Sequence, residues 1–159
     1  MSDRTTAYNR TYNAMQDGDV VYITYHGANA FRFDSFLQRI DSDGSIPWGI
    51  NGSDFDTSEG DYEMTTNIAM AQGTDNIWAV CNYTDSTQSM YGEYVQKFDK
   101  QSGARLLGDQ AKEVFAVGSD YIHQGSLRIF DQLPLFVIQE GLSDVTLHMC
   151  QLDLSLIHI

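Results

Sequence analysis

The chain has 159 residues, 42% hydrophobic and only two of them proline, which suits one domain with a packed core. Nine Lys and Arg against 22 Asp and Glu give a net charge of −13, a field that repels phosphate backbones and disfavours a nucleic-acid partner outright. No apolar run reaches the roughly 18 residues of a transmembrane segment, and no signal-peptide core is visible between Met1 and Val20.

The first predicted element is Tyr12-Asn13-Ala14-Met15, whose polar–apolar alternation suits a strand buried on one face. Val20 to Tyr25 follows as a β-branched and aromatic run, the composition of a buried strand. A third strand ends in Gln38-Arg39-Ile40-Asp41, turns on Ser42-Asp43-Gly44, and is answered by a fourth strand carrying Trp48-Gly49. The acidic stretch Asp54, Asp56, Glu59, Asp61 and Glu63, with Ser58 and Gly60, reads as a solvated loop.

The same order then recurs. Thr66 to Met70 alternates, Ile77 to Cys81 is a compact apolar run, and Gln96-Lys97-Phe98-Asp99 leads through Ser102-Gly103 to Leu107-Gly108. A third pass offers Ser126 to Phe130, Leu135 to Ile138, and Cys150-Gln151-Leu152-Asp153. The aspartates Asp41, Asp99 and Asp153 are spaced by 58 and 54 residues, a period that signals an array of supersecondary units. Each unit reads as strand, strand, strand, turn, strand, the content of a propeller blade. The units run over about 8–60, 61–119 and 120–153, the last incomplete.

The pattern Gln-(Arg/Lys)-apolar-Asp, Gly turn, (Trp/Leu)-Gly resembles the blade repeats of secreted bacterial β-propeller proteins. In those, a strand ending in Gln-Arg-Leu-Asp precedes a Gly turn and a Leu-Trp-Gly strand. This chain departs from the pattern at Leu107 and at Cys150. The resemblance implies an all-β fold: a partial, open β-propeller of about three four-stranded antiparallel blades. It also implies an extracellular or cell-surface setting, with the remaining blades of the same propeller as a partner. The last six residues, Leu154 to Ile159, resemble a translated transposon mosaic end from sequencing-library preparation and are expected to be foreign to the fold.

Candidate chemistry is sparse. Asp41-Ser42-Asp43-Gly44 has the look of a calcium loop, yet the next acid is Asp54, and a full loop spreads oxygen ligands over about twelve residues and closes on a Glu. It reads better as an Asp-Gly turn. It also misses the sialidase-type Asp-box, Ser-x-Asp-x-Gly-x-x-Trp, by one position. His26, His123 and His148 share no metal-ligand spacing, and Cys81 and Cys150 read as free, buried thiols in different units. Tyr83, Tyr91 and Tyr94 flank a polar loop, where they either stack on a sugar or cover the sheet edge, the second being the simpler reading. No catalytic, cofactor or metal residue is assigned.

The expected function is that of a non-enzymatic binding or scaffold module, taken from a larger secreted or surface protein, with protein or glycan as ligand. The alternative is part of a propeller-type glycosidase or polysaccharide lyase, with paired acids across a cleft. An open stack of blades also leaves two uncovered apolar faces, expected at Val20, Tyr22 and Tyr25 on one side and Phe136, Ile138 and Met149 on the other.

Overall fold

In this computed structural model residues 9–29 and 32–152 are described, and every regular element among them is a strand. The first sheet contains β1 (Asn9–Asp17), β2 (Val20–Asn29), β3 (Arg32–Ile40) and the short β4 (Ser53–Asp54). The second contains β5 (Tyr62–Ala69), β6 (Asn76–Thr84), β7 (Tyr91–Asp99) and β8 (Lys112–Gly118). The third contains β9 (Ile122–Phe130), β10 (Leu133–Glu140) and β11 (Thr146–Gln151). In all three, chain neighbours are sheet neighbours and every pair is antiparallel. The sequence expectation of four strands per unit therefore holds for two sheets, while the third has three described strands. Asp153 and Leu154 to Ile159 lie outside the described residues.

Each hairpin is set by local chemistry. The β9–β10 turn places Asp131 and Gln132 in the left-handed region (φ 51° and 67°), the pair of positive φ values a two-residue type I′ hairpin needs. Asp131 is a residue such turns favour, but Gln132 is not the usual Gly, so the turn signal there is weak.

The three sheets stack face to face, and the second is covered on both sides. Side chains alternate along a strand. In β6, Ile77, Ala79, Cys81 and Tyr83 therefore join a core shared with Tyr22, Leu37 and Phe55 of the first sheet. Trp78 and Val80 join a second core with Ile122, Leu127, Phe136 and Ile138 of the third. Burial on both faces is why β6 is a continuous apolar run, whereas β1 and β9 alternate. In β7, Tyr94 and Phe98 face the first sheet and Val95 the third; Lys97 Nζ lies 4.9 Å from the Trp78 ring centroid on that third-sheet side.

The sheets are bridged at matching registers. Gln38 pairs with Ile23 and Gln96 with Ala79, which makes His26 and Asn82 equivalent positions on β2 and β6. His26 Nδ1 lies 3.4 Å from Met64 O on the first strand of the next sheet, and Asn82 Nδ2 donates to Ile122 O, again on the next first strand, at 3.1 Å. A side-chain relay joins the three first strands: Asn13 Nδ2 donates to Asn67 Oδ1 (3.0 Å) and Asn67 Nδ2 to Gly125 O (3.2 Å).

Two expectations need correction. Trp48 and Leu107 sit in turns rather than on fourth strands, because the chain spends residues 41–52 and 100–111 on loops before β4 and β8 form. Both are half-buried and pack against the edges of the two cores, Trp48 on the first and Leu107 on the second. The apolar faces also differ: Tyr22, Tyr25, Phe136 and Ile138 are buried, and Val20 packs against the first core. Tyr22 faces the second sheet, whereas Tyr25 lies on the opposite face and is covered there, its Oη donating to Asn51 O at 2.5 Å; in the third sheet strand parity is the reason. Even positions of β10 point toward the second sheet, so the outward set is Val137, with Leu147 and Met149 from β11.

Candidate functional site

The acidic stretch after β3 does not form a solvated loop throughout. Ser53 and Asp54 pair with Leu37 and Phe36, and Phe55 N donates to Ser35 O at 2.9 Å. Phe55 then inserts fully into the first core, against Tyr83 and Phe98 (ring centroids 6.0 and 6.4 Å). Burying Phe55 fixes Asp54 and Asp56 on either side of it, at the end of the stack where β3 and β5 begin and β6 ends.

Asp56 is buried and its carboxylate is fully employed. Oδ2 accepts from Tyr83 Oη (2.7 Å) and Ala111 N (3.3 Å), and Oδ1 from Ser58 N (2.6 Å). Glu63 is completely enclosed, with Oε2 accepting from Ser35 N at 2.8 Å and Oε1 facing Arg32 at 3.4 Å. Burial pushes the Glu63 carboxyl well above the usual range, and the nearby charges of Asp56, Asp54 and Asp34 add to this against the Ser35 hydrogen bond. Arg32 pairs with Asp34 and donates to Ser58 O. Burial opposes its charge, but the Asp34 hydrogen bond and charge leave its pKa raised.

A cleft of about 400 Å³ is lined by Arg32, Asp34, Asp54, Asp56, Thr57, Ser58 and Glu59, with Glu63 enclosed behind Arg32. The second sheet buttresses it: Arg105 donates to Asp54 O (3.2 Å) and Thr57 N to Asp109 O (3.1 Å). Guanidinium, hydroxyl and carboxylate groups side by side offer donors and acceptors for a neutral, hydroxyl-bearing ligand, while the surplus of acid disfavours an anion.

The other residues singled out from sequence fall elsewhere. Asp41 is held by Arg39 Nε at 2.6 Å, Asp43 accepts from Ser45 N at 2.9 Å, and the segment closes as a turn with Gly44 N on Asp41 O (2.8 Å). Among the described residues no group of three or more His, Cys, Asp or Glu is arranged to hold a metal ion. The histidines are separate: His26 is buried beside Phe33, His123 lies near Tyr121, and His148 Nε2 meets Glu140 Oε2 at 2.6 Å. Cys81 and Cys150 are both free and belong to different cores. Tyr83 is buried in the first core and stacks on Tyr94 at 4.2 Å, and Tyr91 packs on the second core and meets Tyr121 edge-on at 4.9 Å, so these rings pack between sheets instead of covering a sheet edge.

Sequence reading missed Arg32 and Glu93. Glu93 is enclosed between the second and third sheets, with Oε1 accepting from Asn82 Nδ2 (3.1 Å) and Oε2 without a partner. Burial pushes its carboxyl up to about 8. Nothing in its strand-like context signals this, because enclosure depends on the third sheet.

These features define an all-β stack of antiparallel sheets with a polar cleft at one end of the first inter-sheet seam. No family model, curated protein or solved structure matches the chain.

Proposed function

We propose that the chain is a non-enzymatic binding module built of propeller-type blades, belonging to a larger secreted or cell-surface protein, and that the Arg32 cleft takes a glycan. The observation that carries the reading is the cleft itself: Arg32, Asp34 and Ser58 line it, Arg32 is held by Asp34, Ser58 O and the enclosed Glu63 behind it, and the buried Phe55 anchors the segment. Such a preorganised polar surface loses little entropy on binding. The blade reading draws support from the repeated placement of each new first strand across the preceding sheet, β5 on β1 to β3 and β9 on β5 to β7.

A carbohydrate-active enzyme is the second reading, favoured by Asp34 and Asp54 sharing the rim of one cleft. Titration calorimetry of the full chain against a panel of neutral oligosaccharides tests both. The binding reading expects saturable heat with unchanged sugar, weakened at least about tenfold in Arg32→Ala. New reducing ends would favour the enzyme, and no heat with any neutral glycan would remove the glycan reading.

A further inference from the structure

We infer that the Arg32 cleft is one half of a longer groove, and that a second hollow beside it takes the next ring of a neutral oligosaccharide against Tyr94. The inference rests on the glycan reading of the cleft and adds to it the length of the ligand and the residues that meet its second unit.

The second hollow has a volume of about 210 Å³ and shares Asp56 and Ser58 with the cleft, so residues 56–58 form a wall common to both. Its other walls include Asp61, Tyr83 of β6, Tyr94 of β7 and Gln110 just before β8. They come from the link between the first two sheets and from the second sheet itself, all of it interior to the chain.

Tyr94 is half-buried and is held from behind. Tyr83 stacks on it at 4.2 Å with the ring planes 22° apart, and Tyr83 Oη donates to Asp56 Oδ2 at 2.7 Å. Asp56 also accepts from Ala111 N at 3.3 Å, which ties the loop before β8 to the same carboxylate. A ring fixed in this way loses little freedom when a ligand packs on it. Tyr94 Oη donates to Glu113 Oε2 at 3.3 Å. Burial, with the charges of Glu113 and Asp61, pushes its phenol up to about 12, which keeps the hydroxyl neutral and sets the Asp61 carboxylate near that end of the ring.

An aromatic ring beside a carboxylate and a carboxamide suits a pyranose. The C–H face of the sugar packs on the ring, and its hydroxyls donate to Asp61 and exchange hydrogen bonds with Gln110. No Lys or Arg lines the hollow, and the net charge of −13 disfavours an acidic unit there. The volume falls below the roughly 300–1,000 Å³ of sites for drug-sized ligands, which sets the occupant at a single ring. Ser58 stands between the two hollows. Its N–H donates to Asp56 and its carbonyl accepts from Arg32, which leaves its hydroxyl for a ligand crossing from one to the other.

Titration calorimetry of the full chain against cello-, malto- and xylo-oligosaccharides of one to four units provides the test. Affinity for the preferred series should rise at least about tenfold from one unit to two, and by less than about threefold with each further unit. Arg32→Ala should lower affinity at every length. Tyr94→Ala and the double variant Asp61→Asn/Gln110→Ala should each shrink the gain from the second unit to under about threefold. The double variant serves alone if Tyr94→Ala loses its near-ultraviolet circular dichroism. Affinity that depends on Arg32 but not on length, or a length gain that survives both variants, would overturn the groove and leave the Arg32 cleft standing. No heat with any of these sugars, or heat indifferent to Arg32→Ala, would overturn the cleft reading and the groove with it.

Discussion

Gln38 and Gln96 make the same hydrogen bonds in neighbouring sheets. Gln38 Nε2 donates to Gly49 O at 2.7 Å and its Oε1 accepts from Arg39 N at 3.0 Å. Gln96 Nε2 donates to Gly108 O at 3.1 Å and its Oε1 accepts from Lys97 N at 3.0 Å. Each amide pins the loop after its strand back onto that strand, which gives the recurring Gln and the recurring Gly one shared purpose. The turns agree as well: Asp41 N donates to Ser45 O and Asp99 N to Ala104 O, both at 2.9 Å.

Replacing Gln96 with Leu should therefore cost about 1–3 kcal/mol, since it strips partners from Gly108 O, Lys97 N and Leu107 N at a fully enclosed position. Urea denaturation followed by fluorescence measures it. An unchanged midpoint would show that the loop is held by something else.

Gly103 and Gly44 are both left-handed turn glycines (φ 74° and 82°), but only Gly103 is crowded. A Cβ there would sit 2.3 Å from Ser53 Oγ and 2.8 Å from Trp48 Cδ2, whereas at Gly44 it would meet nothing within 4 Å. Gly44→Ala should cost about 1 kcal/mol from backbone strain alone. Gly103→Ala should cost clearly more, and equal losses for the two would refute the contact between Trp48 and the second sheet's turn.

Trp48 and Trp78 should separate in the same kind of experiment. Trp78 is 2% exposed between β5 and β7, so Trp78→Ala is expected to lose about 3–5 kcal/mol. Trp48 is half-buried, touching Tyr22 (centroids 5.7 Å) and donating to Gln101 O at 3.1 Å, and its loss should be less than half as large. The reverse order would mean that the turn, rather than the strand, anchors the seam.

Glu93 should make the stack alkali-sensitive. Its carboxyl is raised from 4.5 to about 8, so the folded state binds the proton more tightly than the unfolded one. The stabilisation is complete below the unfolded value and is lost as pH rises from about 4.5 through about 8, amounting to roughly 3–5 kcal/mol at 1.36 kcal/mol per unit. Glu93→Gln keeps a neutral side chain of similar shape and should flatten that limb of the stability profile. Parallel profiles for the two proteins would place the titration at another group.

Much of this architecture is legible locally. Alternation in Asn13 to Met15, the β-branched run of β2 and the Asp-Gly and Ser-Gly turns each encode a strand or its end within a few residues, because side-chain direction and backbone preference act over that range. The recurring Gln, Asp and Gly mark the period for the same reason. The strand placement of Trp48 failed because the loop length before β4 depends on where Phe55 is buried, in a core assembled from two sheets.

What the chain alone determined is thus the strand content, the turns and the order of the units, all of them short-range properties. The tertiary structure decided which face of each strand is covered, and with it that Glu63 and Glu93 are enclosed while Met149 is exposed. It also brought Arg32 of β3 against Ser58 and the enclosed Glu63 of β5, which places Arg32 in the wall of the cleft. Those outcomes rest on contacts between sheets, where the burial of a residue depends on partners distant in sequence, and strand periodicity, which tells one face from the other, does not say which of them another sheet will cover.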